Sequence, residues 1–231
     1  MKKVLLYSGG MDSWLIDKIW KPDVKLYIDI NGEYSKEEIK RLPNDVIVEK
    51  LDLGRFERED KIIPMRNLFF VTLASLYGEE ICLGATAGDR VLDKSIEFKN
   101  KVEDLLSYLW QPQHWTPGKE IKINLDFKKY TKLDLLLKYK ELGGDLDTAF
   151  KETFSCYYPR HSGEECWACK PCFRKVVAFV LAGYKIEDKI KNRVVRYIEQ
   201  EILPQIKIGT NGRGEEDQQI LKAYKIMVKS K

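Results

Sequence analysis

Lys3-Val4-Leu5-Leu6-Tyr7-Ser8-Gly9-Gly10-Met11-Asp12-Ser13-Trp14-Leu15-Ile16 carries the reading of the fold. Val4 to Tyr7 is a short apolar run, as expected of a parallel strand covered on both faces. The glycine pair predicts a tight turn. Met11–Trp20 then places Trp14, Leu15, Ile16 and Ile19 at helical spacing. Strand, glycine turn and helix start together predict an anion cradle. A helix's first amide groups lack partners within it, and its dipole favours negative charge there. Gly9 and Gly10 let the backbone approach a phosphate, and Ser8 and Ser13 add hydroxyl donors.

Outward from this stretch, strand and helix patterns alternate. Lys25–Ile30 and Val46–Leu51 read as strands, with Ser35 capping a helix over Lys36–Leu42 between them. A break at Ile63-Pro64-Met65-Arg66-Asn67 precedes a helix over Leu68–Tyr77. Glu80–Thr86 is a further strand and turn, Ile96–Leu109 an amphipathic helix, Ile121–Leu125 a candidate strand and Lys132–Leu142 a helix. This order predicts an α/β fold, a doubly wound and mostly parallel sheet with ligands at the carboxyl ends of its strands. Tyr108–Gly118, dense in aromatics and prolines, reads equally as a lid or as a surface loop pinned by its tryptophans. Near the end, a long charged helix over Ile186–Leu203 is expected to stop at Pro204, and a last helix covers Glu215–Val228.

With 231 residues the chain can bury one sizeable core plus an appendage. No apolar run approaches the ~20 residues of a membrane span. The chain enters its first strand directly, so the expectation is no secretion signal and a cytoplasmic location. A net charge of +4, spread along the chain, does not call for a nucleic-acid partner. The exposed face of the Ile186–Leu203 helix offers a homodimer surface as readily as a solvated one.

Five cysteines without a secretion signal suggest a reducing compartment. Cys156 and the nested steps Cys166-x-x-Cys169-x-x-Cys172 supply four thiolates, the tetrahedral set that structural zinc takes. Four thiolates leave no open position for catalysis, so the predicted Zn2+ is structural. A redox-active C-x-x-C and replacement of one thiol by His161 are the competing readings. Lys170, Arg174 and Lys175 offset the negative charge of four thiolates. Cys82, inside an apolar run, reads as a buried small side chain.

Ser8-Gly-Gly-Met-Asp-Ser13 lacks the lysine of the Walker phosphate loop and matches the SGGxDS signature of the pyrophosphate-loop ATPases. With the four-cysteine element it resembles the 7-cyano-7-deazaguanine synthase family (QueC/ExsB-like). Further matches run in order from Lys3 to Gly183. Pro64-Met65-Arg66-Asn67 is similar to the family's P-G-R-N, Gly84 and Asp89 to its G-x-n-x-x-D, and Thr131-Lys132-Leu133-Asp134 to its lysine-acid step. Ser155-Cys156-Tyr157 and Phe179–Gly183 are similar to its S-C-Y and F-x-x-A-G segments. The substrate segment, Asp89-Arg-Val-Leu-Asp93-Lys-Ser-Ile-Glu97-Phe98, is two residues shorter than the family's and lacks its G-Y-P and C-R pieces. Lys175 stands where the family has arginine.

The resemblance implies a fold like that of the adenine nucleotide alpha hydrolases and does not extend past Gly183. The division expected is an ATP-binding domain at 1–150, a zinc element at 151–183 and a helical extension at 184–231. It implies an ATP-dependent carbon–nitrogen ligase. ATP, with Mg2+ on its phosphates, would adenylate 7-carboxy-7-deazaguanine, ammonia would give the amide, and a second activation would give the nitrile. The ATP site would comprise Tyr7, Ser8, Gly9, Gly10, Met11, Asp12, Ser13, Trp14, Arg66, Asn67 and Lys132. Asp12, Arg66 and Lys132 would be catalytic, and Asp89, Asp93, Glu97 and Phe98 would face the substrate. The shortened segment keeps two alternatives open. One is a product that stops at the amide, or is conjugated to an amine of a protein partner. The other is a zinc-stapled nucleotide-binding module without turnover.

Overall fold

The computed structural model describes residues 1–32, 35–60, 62–160, 162–212 and 214–229. These form two compact units, Met1–Lys129 and Tyr130–Lys231. The sequence reading placed its first boundary at 150 and separated 184–231. The compact units divide the chain at 129/130 and keep everything after that together.

The first unit is built on five strands, β1 (Lys3–Leu6), β2 (Val24–Asp29), β3 (Val46–Lys50), β4 (Glu80–Cys82) and β5 (Lys122–Asn124). All pair in parallel, in the order β3-β2-β1-β4-β5. Parallel neighbours need long crossovers, which here carry α1 (Met11–Trp20), α2 (Ser35–Ile39), α3 (Arg66–Ala74) and α4 (Ile96–Leu109). The register sets Val4 beside Val24 and Ile81, and Ile81 beside Ile123. This face of the sheet forms one core with Val71 and Ala74 of α3 and Val102 and Leu106 of α4. Leu5, on the other face, is also fully buried, and α1 packs against β1 with Leu15 and Ile16 inside. Both faces of β1 are therefore covered, which is why its sequence is apolar throughout.

From β1 the chain moves outward through β2 and β3, then returns to β1's other side for β4 and β5. The order reverses beside β1, and the crevice past the carboxyl ends of β1 and β4 is where such sheets bind ligands.

The second unit is helical: α5 (Lys132–Glu141), α6 (Leu146–Glu152), α7 (Lys170–Leu181), α8 (Asp188–Tyr197), α9 (Leu203–Lys207) and α10 (Glu215–Lys229). Its spine is α7, with Phe173, Val176 and Phe179 fully enclosed and with α5, α8 and α10 packed around it.

Three expectations are corrected. Pro204 does not stop the long helix. Helical backbone runs on through a π-turn over Ile198–Ile202, and Pro204 enters the first turn of α9, where its missing N–H matters least. Ser35 does not cap α2 from outside but lies inside it, with its hydroxyl accepting from the Gly32 amide at 3.1 Å. The helix there ends at Ile39. Finally, α3 begins at Arg66 rather than Leu68, because Met65 takes a left-handed conformation (φ 57°) and serves as its N-cap.

Candidate active site and metal centre

The Ser8–Ser13 loop joins β1 to α1 at the switch point. Gly9 takes φ 72°, a left-handed turn, and Gly10 is the N-cap of α1. The two serines knit the loop. Ser13 Oγ accepts from the Ser8 amide at 3.2 Å, lies 3.3 Å from Ser8 Oγ, and donates to the Gly10 carbonyl at 3.1 Å. The Gly10 amide donates to Ser8 Oγ at 3.4 Å. Ser13, expected to face a ligand, is thus buried and braces the turn. Asp12 is in the first turn of α1. The side chains of Tyr7, Met11 and Trp14 are all buried, with the Lys25 ammonium over the Tyr7 ring and Lys18 over Trp14.

Arg66 and Asn67 form the first turn of α3. The Arg66 guanidinium lies over the Phe70 ring, 5.7 Å from its centroid. Asn67 is buried, and its amide donates to Asp93 Oδ2 at 3.3 Å. Asp93 therefore acts as an acid at the α3 N-terminus, the place where helix charge favours one. Asp89 is taken up by its own turn after β4. Its Oδ2 accepts from the Thr86 amide at 2.9 Å and pairs with Lys94 at 3.0 Å. Glu97 and Phe98 diverge at the start of α4. Glu97 is exposed and paired with Lys101 at 2.7 Å, which holds its carboxyl below the usual range, whereas Phe98 packs on the core. The loop, Arg66–Asn67 and Asp93 all belong to loops and helix starts of the first unit, and Asn67 and Asp93 are in contact. Glu97 stands apart, in solvent.

A group that sequence reading missed is Glu38. The Tyr27 hydroxyl donates to Glu38 Oε2 at 2.7 Å. Burial pushes the Glu38 carboxyl up, while that hydrogen bond and the Arg66 charge pull it back. Burial beside Glu38 also raises the Tyr27 phenol. In the sequence Glu38 was one of two acids in a short helix, and nothing marked it as buried.

Tyr108–Gly118 is pinned by Trp110, whose indole N–H donates to Ser75 Oγ at 3.1 Å beneath the Lys119 ammonium, while Trp115 is exposed. Cys82 is enclosed, and burial pushes its thiol up to about 12, which makes it inert.

In the second unit, Lys132 is the first residue of α5. Thr131 and Asp134 close a capping box there, with the Thr131 hydroxyl accepting from the Asp134 amide and the Asp134 carboxylate from the Thr131 amide.

The sulfurs of Cys156, Cys166, Cys169 and Cys172 all lie within 4.8 Å of one another. Tetrahedral zinc with bonds of about 2.3 Å sets its sulfurs about 3.8 Å apart, so the cluster needs only slight contraction around an ion. Cys169 caps α7 and Cys172 projects from its first turn, with Pro171 fixing the start. Trp167, at φ 57°, turns the chain between Cys166 and Cys169. Backbone amides already serve the sulfurs: Cys166 N–H donates to Cys156 Sγ at 3.2 Å, and Ala168 N–H to Cys166 Sγ at 3.4 Å. Hydrogen bonds from Cys156 and Cys172 pull the Cys169 thiol down, and the same crowding drives Cys172 upward. Four sulfurs this close cannot all carry charge without a cation, and the donor set fits a structural metal such as zinc. The competing ligand His161 lies outside the described residues.

Beneath the cluster, Lys175 is 1 % exposed. Its ammonium donates to Glu165 Oε2 at 2.7 Å and to the Thr153 carbonyl at 2.5 Å, with the Phe150 and Trp167 rings around it. Glu165 Oε1 accepts from the Ser155 amide at 2.7 Å. One buried ion pair thus ties the segment before Cys156 to the one before Cys166. Burial pushes Glu165 up and Lys175 down, and each charge pulls the other back.

The family model described as "Queuosine biosynthesis protein QueC" matches residues 41–183. A relative from Citrifermentans bemidjiense named 7-cyano-7-deazaguanine synthase is 28 % identical over 225 residues, covering 82 % of this chain and 97 % of the relative. One of the same name from Geobacter sp. strain M21 is 28 % identical, covering 79 % and 94 %. Another from Thermoplasma acidophilum is 29 % identical over 158 residues, covering 62 % and 60 %. No solved structure matches the chain significantly. Among the described residues, no helix is long and apolar enough to cross a membrane.

Proposed function

Because the chain belongs to the QueC family of queuosine biosynthesis proteins, we propose that it is an ATP-dependent, AMP-forming carbon–nitrogen ligase acting on 7-carboxy-7-deazaguanine. A carboxylate resists nucleophiles because of its charge. Attack of its oxygen on the α-phosphorus of ATP forms an acyl adenylate and releases pyrophosphate. Ammonia then displaces AMP and gives the amide after loss of a proton. A second ATP adenylates the amide oxygen. Loss of AMP and of the two nitrogen-bound protons leaves the nitrile.

The chain's own contribution is to hold and orient charge. In this reading the Gly9–Ser13 turn and the start of α1 receive the phosphates. Arg66 and Lys132 supply the cations that the loop lacks, where negative charge develops on the departing pyrophosphate. Asn67 is assigned to the adenosine, and Asp93 to the guanine-like edge, whose N–H donors suit a carboxylate. Magnesium, when bound with the nucleotide, supplies further charge neutralisation, and the Asp12 carboxylate is the hard oxygen donor it would find at the loop. Zinc, held by the four cysteines, supplies only a structural cross-link. Glu97 has the weakest support among the assigned residues, since Lys101 already occupies it in solvent.

The observation that carries this reading is the SGGxDS turn lying at the carboxyl end of the central strand, beside the order reversal of a parallel sheet. The test is mass spectrometry of products from ATP, magnesium, ammonia and the carboxylated deazaguanine. AMP, pyrophosphate and a nitrile are expected, and Asp12→Asn should abolish substrate-dependent pyrophosphate release without unfolding the protein. Absence of AMP with every candidate acid would end the assignment. A deazaguanine-sized mass gain on a protein, in place of the nitrile, would redirect it to conjugation.

A further inference from the structure

A cleft within the second unit draws on chain that lies beyond the family-matched residues 41–183. It is shallow and open to solvent, and is lined by Lys132 of α5, Arg174 and Val177 of α7, and Glu216, Gln219 and Ile220 of α10. Ile220, Ala223 and Met227 fall on one face of α10, are at most 2 % exposed, and seat the helix on α7. That seating brings Gln219 to the start of α5, where Gln219 Nε2 donates to Thr131 Oγ1 at 3.2 Å.

The Thr131 hydroxyl is then fully engaged. It accepts from the Asp134 amide at 3.2 Å and from Gln219, and it donates to Asp134 Oδ2 at 2.8 Å. A hydroxyl has one proton and two lone pairs, so no position is left over and its rotamer is fixed. Thr131 is the N-cap and Lys132 the next residue, so the same contacts fix where the Lys132 stem leaves the helix.

We propose that Gln219 is a positioning residue for Lys132, so that the C-terminal helix is a working part of the enzyme. This rests on the reading above in which Lys132 bears on the departing pyrophosphate. Gln219 holds the α5 cap from outside, and the α10 wall limits the directions open to the lysine stem. A capping box by itself uses one of the two acceptor lone pairs of the N-cap hydroxyl, for the N3 amide. Here a side chain 88 residues away fills the other.

The experiment uses the full-length protein with Gln219→Ala, Gln219→Glu, Lys132→Ala and the Gln219→Ala/Lys132→Ala double variant. Three readouts are taken: pyrophosphate release as kcat and KM for ATP, affinity for α,β-methylene-ATP by calorimetry, and thermal unfolding. Gln219→Glu keeps size and packing but loses the donor, so it should behave like Gln219→Ala. Both should lower kcat/KM for ATP about tenfold, the scale of one lost hydrogen bond, with little change in unfolding temperature. In the Lys132→Ala background, Gln219→Ala should not weaken analogue binding further. The proposal is overturned if kcat/KM survives both Gln219 changes while Lys132→Ala cripples release. It is equally overturned if the Gln219→Ala effect persists undiminished without Lys132, since that is a general structural role. Wild-type release by Lys132→Ala would instead sink the reading of Lys132 itself, and this inference with it.

Discussion

At the scale of single residues, the positions that shape the Ser8–Ser13 loop and its surroundings are distinguishable by why they matter. Gly9 sits at φ 72°, and among the described residues a methyl added there would meet Leu42 Cδ2, at an ordinary 3.7 Å. Gly9→Ala should therefore cost about 1–2 kcal/mol, all of it left-handed backbone strain, readable as a shift of the urea midpoint. Glu38 gives a pH signature. Its folded carboxyl titrates above the ordinary 4.5, mainly through burial. A raised acid favours the protonated fold, so its contribution is full below the unfolded value and is lost as pH rises through the folded one. Glu38→Gln keeps an acceptor for the Tyr27 hydroxyl and removes the buried charge. The variant should gain stability over the parent between pH 4 and pH 8, and a flat difference across that range would refute the burial argument. Neither Glu38 nor the Lys175–Glu165 pair was legible in the sequence. Glu38 lies in a five-residue helix and Glu165 in the irregular stretch before Cys166, and in neither place does a charged letter carry any sign that it will be buried.

At the scale of elements, local pattern was a good guide wherever one signal dominated. The spacing of Trp14, Leu15 and Ile16 marked α1, amphipathic spacing gave α4 over the residues where it forms, and α5 runs from Lys132 as read and ends one residue short, at Glu141. The cysteine spacing alone located the four-thiol cluster, because three of its members fall within one turn and a helix start. Reading failed at Pro204, where a π-turn absorbs the proline, and at α3, where Met65 pays for a left-handed cap that its side chain does not advertise. The Asp89–Phe98 segment offered no way to tell its acids apart, since Asp89 is spent on its own turn and Glu97 on Lys101. The element around Cys156–Cys172 makes its own prediction. Lys175→Met would leave Glu165 buried without its cation, at a cost of about 3–5 kcal/mol. Adding Glu165→Gln should recover part of this, while affinity for zinc, measured by competition with a chromophoric chelator, falls in Lys175→Met.

At the scale of the whole molecule, two units with different sources of order should respond differently to metal removal. The first rests on a sheet core with no metal ligand among the four cysteines, and the second wraps α7, whose first turn carries Cys172. Chelation should raise amide hydrogen exchange in Phe154–Leu181 and leave β1, β2 and β4 protected. Uniform loss of protection would contradict that division. The outer strand of the sheet adds a practical corollary. β3 is a rim strand, and Ile47 and Val48, which point to opposite faces of it, are both exposed. Such a border can template the addition of a foreign strand, and only Glu49 and Lys50 stand there as charged deterrents. In concentrated solution, self-association should therefore begin at this margin, and a lysine in place of Val48 is the change that would keep the protein dispersed.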